Sequence, residues 1–288
     1  MNTTFRSLWQ RLAPSLGEGE AKAVVRMLLE EAFALSYSDI CCGAVEQLSP
    51  ADEARLQQLM GRLEASEPIQ YVLGEAEFGG RRYRVSPAVL IPRPETWQLC
   101  QEASAFLDTL LLNNSACRPA VLDIGTGSGC IAVSVALACQ EAQVSAWDIS
   151  PEALAVARQN AERLGASVGF SLQDALSPPD DRRRWHLIVS NPPYICDSER
   201  TEMAAHVVGH EPHTALFVPD ADPLRFYRSI ALYARKALHP AGALMLETNT
   251  RYAEATAELL REQGFRAVRV EDDLYSRPRF VLAEAPES

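Results

Sequence analysis

From residue 119 onward, short apolar runs alternate with amphipathic stretches of helical length: Ala120 to Ile124, Val144 to Trp147, Val168 to Leu172, Leu187 to Val189 and Ala243 to Leu246. Adjacent parallel strands need a crossover of about a dozen residues or more, which a helix supplies, and strands covered on both faces read as continuous apolar runs. The pattern therefore predicts an α/β fold with a doubly wound, mostly parallel, Rossmann-like sheet. Ala267 to Val270 and Arg279 to Leu282 flank a turn-rich segment, which predicts an antiparallel C-terminal edge hairpin.

The chain ahead of this pattern has a different period. Val25, Leu28, Ala32 and Leu35 form one helical stripe, and Leu56, Leu59, Met60 and Leu63 form another. Ser49-Pro50-Ala51-Asp52 reads as a helix start, with a capping hydroxyl, a proline at the first position and an acid at the third. Gly79-Gly80, ahead of the alternating Arg82-Tyr83-Arg84-Val85, reads as a hairpin. At 288 residues and 47% apolar content the chain is expected to divide into a small and a large domain. We place a small helical bundle at 1–75, a hairpin linker at 76–92 and an α/β domain at 93–288.

Charge and cysteine usage narrow the function classes. With 27 basic and 38 acidic residues the formal net charge is -11, which disfavours tight binding to a phosphate backbone through the overall field. The one basic run, Arg182-Arg183-Arg184 beside Asp180 and Asp181, reads as a solvated loop. Seven cysteines, odd in number and without C-x-x-C spacing, indicate neither a disulfide framework nor a zinc knuckle. No stretch approaches the roughly 18 apolar residues of a membrane helix, and the N-terminus lacks the apolar block of a signal peptide. A cytoplasmic protein without metal or membrane partner is expected. His206, His210, Glu211 and His213 cluster in sequence, but Gly209 and Pro212 interrupt the helix that would align two histidines.

Two motifs carry chemistry. The first strand runs into Gly125-Thr126-Gly127-Ser128-Gly129, which holds three of the chain's 15 glycines, and an apolar helix follows. Such a loop suits a tight turn and close approach of backbone to a ligand. Its third glycine comes one residue too early for the dinucleotide fingerprint. Asp148 closes the second strand, where a carboxylate can accept hydrogen bonds from both ribose hydroxyls. A nucleoside ligand is indicated, and these residues alone do not separate NAD from S-adenosylmethionine (SAM). Asp174, beyond the third strand, reads either as a contact to an adenine amino group or as a turn carboxylate.

The second motif is Asn191-Pro192-Pro193-Tyr194, directly behind the apolar run 185–189. The prolines cannot donate to a sheet ladder and stiffen the exit from the strand, so the Asn191 side chain, the backbone carbonyls and the Tyr194 ring are held in fixed directions. None of these groups is a nucleophile or a useful base at neutral pH. They suit a planar NH₂ group, with two hydrogens accepted by Asn191 Oδ1 and the Pro192 carbonyl while Tyr194 stacks on its face. Holding both hydrogens out of plane weakens amide resonance and aims the nitrogen lone pair at a methyl donor. An adenine amino group would satisfy the same contacts. An NAD-dependent oxidoreductase lacks both the glycine spacing and a proton-transfer partner.

Gly125 to Gly129, Asp148 and Asn191 to Tyr194 together resemble a class I SAM-dependent methyltransferase with an NPPY motif. Pro68 to Gly74, Leu90 to Thr96 and Glu211 to Leu216 resemble, more narrowly, the family that methylates N5 of a glutamine in peptide-chain release factors. The resemblance covers about residue 60 to the end. It implies SAM as cofactor, held by Gly125, Thr126, Gly127, Ser128, Gly129, Asp148, Asp174 and Asn191. It implies the Gly-Gly-Gln glutamine of class 1 release factors as acceptor, held by Asn191, Pro192, Pro193 and Tyr194, with Asn191, Pro192 and Tyr194 as the catalytic set. A monomer is expected, and the N-terminal bundle, placed ahead of a complete cofactor domain, is expected to dock the protein substrate. Trp97, Pro223 and Thr248-Asn249 depart from the family pattern without touching either motif. An N6-adenine DNA or RNA methyltransferase is the alternative.

Overall fold

The computed structural model describes residues 3–114, 116–180, 182, 185–203 and 205–287. Two compact units are present, Met1–Glu75 with Met203–His210, and Ala76–Glu202 with Glu211–Ser288. The first contains helices Phe5–Leu16, Glu18–Phe33, Tyr37–Cys41, Pro50–Glu64 and Ile69–Leu73, together with Ala205–His210. Ser49 accepts from Asp52 N and caps the helix that Pro50 begins. Leu8, Leu12, Val25, Leu28, Leu56, Met60 and Leu63 are buried in one core. Leu35 lies beyond its expected helix, which ends at Phe33 because Ala34 turns left-handed at φ 54°.

The strands, in chain order, are β1 (Glu75–Phe78), β2 (Arg81–Arg84), β3 (Ala120–Ile124), β4 (Gln143–Asp148), β5 (Val168–Leu172), β6 (Trp185–Ser190), β7 (Ile195–Cys196), β8 (Phe217–Val218), β9 (Leu238–Glu247), β10 (Arg266–Asp272) and β11 (Pro278–Glu284). β1 and β2 form the hairpin expected at Gly79-Gly80. Trp97 covers its turn: its ring meets Phe78 edge-on at 5.5 Å, and a Cβ on Gly79 would lie 2.3 Å from Trp97 Cζ3. The departure at Trp97 is thus matched to a local glycine.

Seven strands build the main sheet in the order β10-β11-β9-β6-β3-β4-β5. β9, β6, β3, β4 and β5 run parallel, and β11 pairs antiparallel with both β9 and β10. Alternate strand residues feed two cores. Val121, Val144, Ala146, Leu187, Val189 and Met245 pack with helices Thr96–Asn113, Cys130–Ala138 and Pro151–Leu164. Leu122, Ile124, Trp147, Ile188, Leu244 and Leu246 pack with Arg225–Ala237 and Ala253–Glu262. Because every central strand is covered on both sides, each reads as an unbroken apolar run. β9 begins at Leu238, ahead of the expected Ala243, across a register irregularity against β6.

Connections leave β3 toward β4 on one side and reach β6 on the other, so the topological switch lies between β3 and β6. Ligands of open α/β sheets bind outside the carboxyl ends of strands at such a point. Register sets three strand ends at one level, with Ile124 opposite Ser190 and Ser190 opposite Leu246. Gly125, Asn191 and Glu247 therefore leave the sheet side by side.

Candidate functional site

A crevice of about 320 Å³ opens at this edge, a volume typical of small-ligand sites. Gly125, Thr126, Gly127, Ser128, Asp148, Asp174, Asn191, Pro192 and Pro193 line it. Gly129 and Tyr194 do not. Gly129 instead starts the following helix at φ 81°, where a Cβ would lie 3.1 Å from Ala157 Cβ, so its role is helix packing. Tyr194 packs against the second core and donates its hydroxyl to Glu247 Oε1 at 3.3 Å.

The loop is shaped by its own backbone. Gly125 and Gly127 have φ 76° and 55°, values that disfavour other residues, and nothing lies within 4 Å of where their Cβ atoms would be. Their open sides leave room for a ligand against the main chain. Thr126 Oγ1 donates to Asp123 Oδ2 at 2.6 Å, and Ala132 N donates to the same oxygen at 3.2 Å. Asp123 is fully buried, its Oδ1 has no hydrogen-bond partner among the described residues, and burial pushes its carboxyl up to about 7.

Asp148 accepts from Gly127 N at 2.8 Å through Oδ2 and from Ser150 N at 2.9 Å through Oδ1. Burial raises its pKa, and these backbone donors oppose that. A carboxylate offers about four lone-pair positions, so two acceptors remain for a ligand after the loop is tied. Asp174 accepts from Leu176 N at 2.8 Å, as a turn carboxylate does, and also lines the crevice. Ile149, which is 59% exposed, and Gln173 line the same side. A nucleoside fits these groups, with a planar base against Ile149 and a ribose diol donating to the free acceptor positions of Asp148.

On the acceptor side, Ser190 Oγ donates to Ile124 O at 2.6 Å and locks β6 to β3 just before Asn191. Asn191 Nδ2 donates to Thr96 Oγ1 at 3.3 Å, which leaves Asn191 Oδ1 as an acceptor. Thr96 Oγ1 in turn donates to Glu247 Oε2 at 2.7 Å. Glu247 is 1% exposed, and burial pushes its carboxyl up to about 7. Thr96 and Glu247 carry no motif signal of their own in this role, and sequence reasoning passed over both as site residues.

The Leu90 to Thr96 and Glu211 to Leu216 stretches meet through Glu211, which is 3% exposed. Its Oε1 accepts from Arg93 Nη2 at 2.6 Å and its Oε2 from Ile91 N at 3.1 Å, and Arg93 lines the crevice. The His213 ring lies edge-on at 5.5 Å to Phe217, which lines the crevice. Among the described residues no cluster of three or more His, Cys, Asp or Glu could hold a metal ion. The side chain of His206 and most of the Arg182-Arg183-Arg184 run, with Asp181, lie outside the described residues. Among the described residues no helix is long and apolar enough to cross a membrane.

Comparison with known proteins fits this geometry. Residues 97–216 match the model of the methyltransferase small domain, and residues 7–74 match that of the PrmC N-terminal domain. The release factor glutamine methyltransferase of Bacteroides thetaiotaomicron is 42% identical over 284 residues, 98% of this chain and 99% of that protein. The Bordetella pertussis protein of the same description is 41% identical over 256 residues, 89% of this chain and 92% of its own. The solved release factor-specific protein-(glutamine-N5) methyltransferase of Alicyclobacillus acidocaldarius is 32% identical, covers 71% of this chain and 100% of its own, and superimposes with a TM-score of 0.42. With both of its units matched and near-complete coverage by such relatives, the chain belongs to the release factor glutamine methyltransferase family.

Proposed function

We propose that the chain transfers a methyl group from SAM to the side-chain amide nitrogen, N5, of the glutamine in the Gly-Gly-Gln motif of class 1 peptide-chain release factors. The observation that carries this reading is the orientation of Asn191. Its Nδ2 is committed to Thr96, so Oδ1 faces outward as an acceptor beside a glycine loop that seats the cofactor. Asn191 Oδ1 and the Pro192 carbonyl take the two amide hydrogens. With both held, the nitrogen lone pair is decoupled from the carbonyl and the bimolecular step becomes effectively unimolecular. Pro193 keeps this arm extended, and Tyr194 backs it from behind the crevice lining, its hydroxyl donating to Glu247.

SAM, when bound, would supply an electrophilic methyl sulfonium that leaves as a neutral thioether, so no acid or base needs to act before transfer, and the methylated nitrogen then releases one proton to solvent. Gly125 to Ser128 cradle it through main-chain groups, Asp148 accepts from the ribose hydroxyls, and Asp174 borders the base. The helical unit serves as a docking element for the protein substrate, consistent with its own buried core and with a crevice lined wholly by the larger unit. The enzyme works as a cytoplasmic monomer without nucleic acid, a reading supported by the net charge of -11.

Mass spectrometry of a release factor incubated with the enzyme and SAM tests the reading. The expected result is one added methyl on the glutamine of Gly-Gly-Gln. An unmodified release factor, or a methyl group appearing on adenine in added DNA or RNA, overturns it.

A further inference from the structure

Glu247 is conspicuous by its surroundings. It is a carboxylate at 1% exposure, yet among the described residues no cation lies within ion-pair distance of it. Arg279, the cation facing it, is engaged elsewhere, with Nε on Asp273 at 3.4 Å and Nη1 on Thr248 O at 3.3 Å. An unpaired buried carboxylate is costly and persists only where something depends on it. Its two oxygens are each occupied by a hydroxyl, Thr96 on Oε2 and Tyr194 on Oε1.

The direction of these hydrogen bonds is forced. An ionised carboxylate only accepts, so Thr96 must spend its single hydroxyl proton on Glu247. Toward Asn191 the Thr96 oxygen can then only accept, so Asn191 must present its NH₂ to Thr96. The carboxamide is thereby oriented with Oδ1 toward the crevice. Without the carboxylate, the Thr96 hydroxyl is free to donate to Asn191 Oδ1, and the amide has no reason to keep that orientation.

We propose that Glu247, acting through Thr96 and directly on Tyr194, is the positioning residue that orients the Asn191 carboxamide for the acceptor. The proposal rests on the acceptor reading above. Glu247 reaches the site because β9 ends one residue beyond the Ser190–Leu246 pair, so three separate stretches of chain converge on one carboxylate.

A pH dependence follows. Burial pushes Glu247 up to about 7, opposed by Thr96, Arg279 and Tyr194 and reinforced by Glu95. The other titratable groups facing it are Tyr227, whose hydroxyl donates to the Glu247 backbone carbonyl, and the buried thiols of Cys100 and Cys130. Protonation at Oε2 makes that oxygen a donor toward Thr96, whose hydroxyl is then released to donate to Asn191 Oδ1. Correct orientation is thus complete above the folded pKa and lost as pH falls through about 7.

The test is single-turnover methylation of a release factor by the full chain with SAM from pH 5.5 to 8.5, alongside SAM and release-factor affinities and a thermal melt. Glu247→Gln is expected to lower the rate about 10- to 100-fold, the scale for removing an outer hydrogen-bonding partner, with both affinities nearly unchanged. It should also remove the inflection near pH 7 expected of the wild type. Thr96→Val, which lacks the hydroxyl, should lose a similar factor, and Thr96→Ser should recover most of that loss. An active wild type whose Glu247→Gln variant keeps full rate, or keeps the inflection, overturns the positioning role alone. A wild type inactive on glutamine overturns the acceptor reading and the positioning role together.

Discussion

Replacing Asp148 by alanine measures how much of cofactor affinity rests on one carboxylate. Two of its roughly four lone-pair positions hold Gly127 N and Ser150 N, at 2.8 and 2.9 Å, and two remain for the ribose hydroxyls. A hydrogen bond to a charged group contributes about 1.5–3 kcal/mol. Both ribose bonds end on the same partly buried group and share its charge, so they are not counted twice. Asp148→Ala should weaken SAM binding by about 1.5–3 kcal/mol, or about 10- to 150-fold, in a calorimetric titration. The substitution also unties Gly127, so a second ligand separates the two effects. A SAM analogue lacking both ribose hydroxyls should bind wild type less tightly than SAM does, and should bind Asp148→Ala as well as SAM does. Unchanged SAM affinity in the variant, or an equal penalty for the analogue in both proteins, would refute the ribose assignment.

Other outcomes follow from the same geometry. Asn191→Ala should lower the single-turnover methylation rate by about 10²–10³, the scale for removing one preorganised hydrogen-bonding group, with release-factor affinity little changed; a normal rate sinks its role. Gly79→Ala should destabilise by about 1–3 kcal/mol through overlap with Trp97 and through its left-handed φ of 57°, seen as a lower melting temperature that a Trp97→Leu background restores only in part. Asp123 is raised from 3.8 to about 7 on folding. The folded state therefore keeps a proton that the unfolded state releases, and stability falls as pH rises between those values. Asp123→Asn should flatten that slope in denaturant titrations; an unchanged slope assigns it to other groups.

The helical unit and the alternating strands were legible because each depends on a local period, and the glycine loop because positive φ at Gly125 and Gly127 is a local demand met by residue type. The stop at Asn191 was likewise written into two prolines. Even the crevice follows, since parallel strands joined by helices bring their carboxyl ends to one edge. What the chain did not disclose locally was polar satisfaction across it. Glu247 and Thr96 are 151 residues apart and meet only because the helix Thr96–Asn113 packs against the end of β9. The β6–β9 register brings Tyr194, just past the end of β6, to Glu247, a contact its motif alone did not disclose. Arg93 and Glu211, 118 apart, join the Leu90 to Thr96 and Glu211 to Leu216 stretches by one half-buried ion pair. The segment 203–210 joins the helical unit although it lies far along the chain, and β11 inserts between β9 and β10. Backbone conformation is decided by neighbours in sequence, whereas the partner of a buried carboxylate is decided by which strands lie side by side once water is excluded.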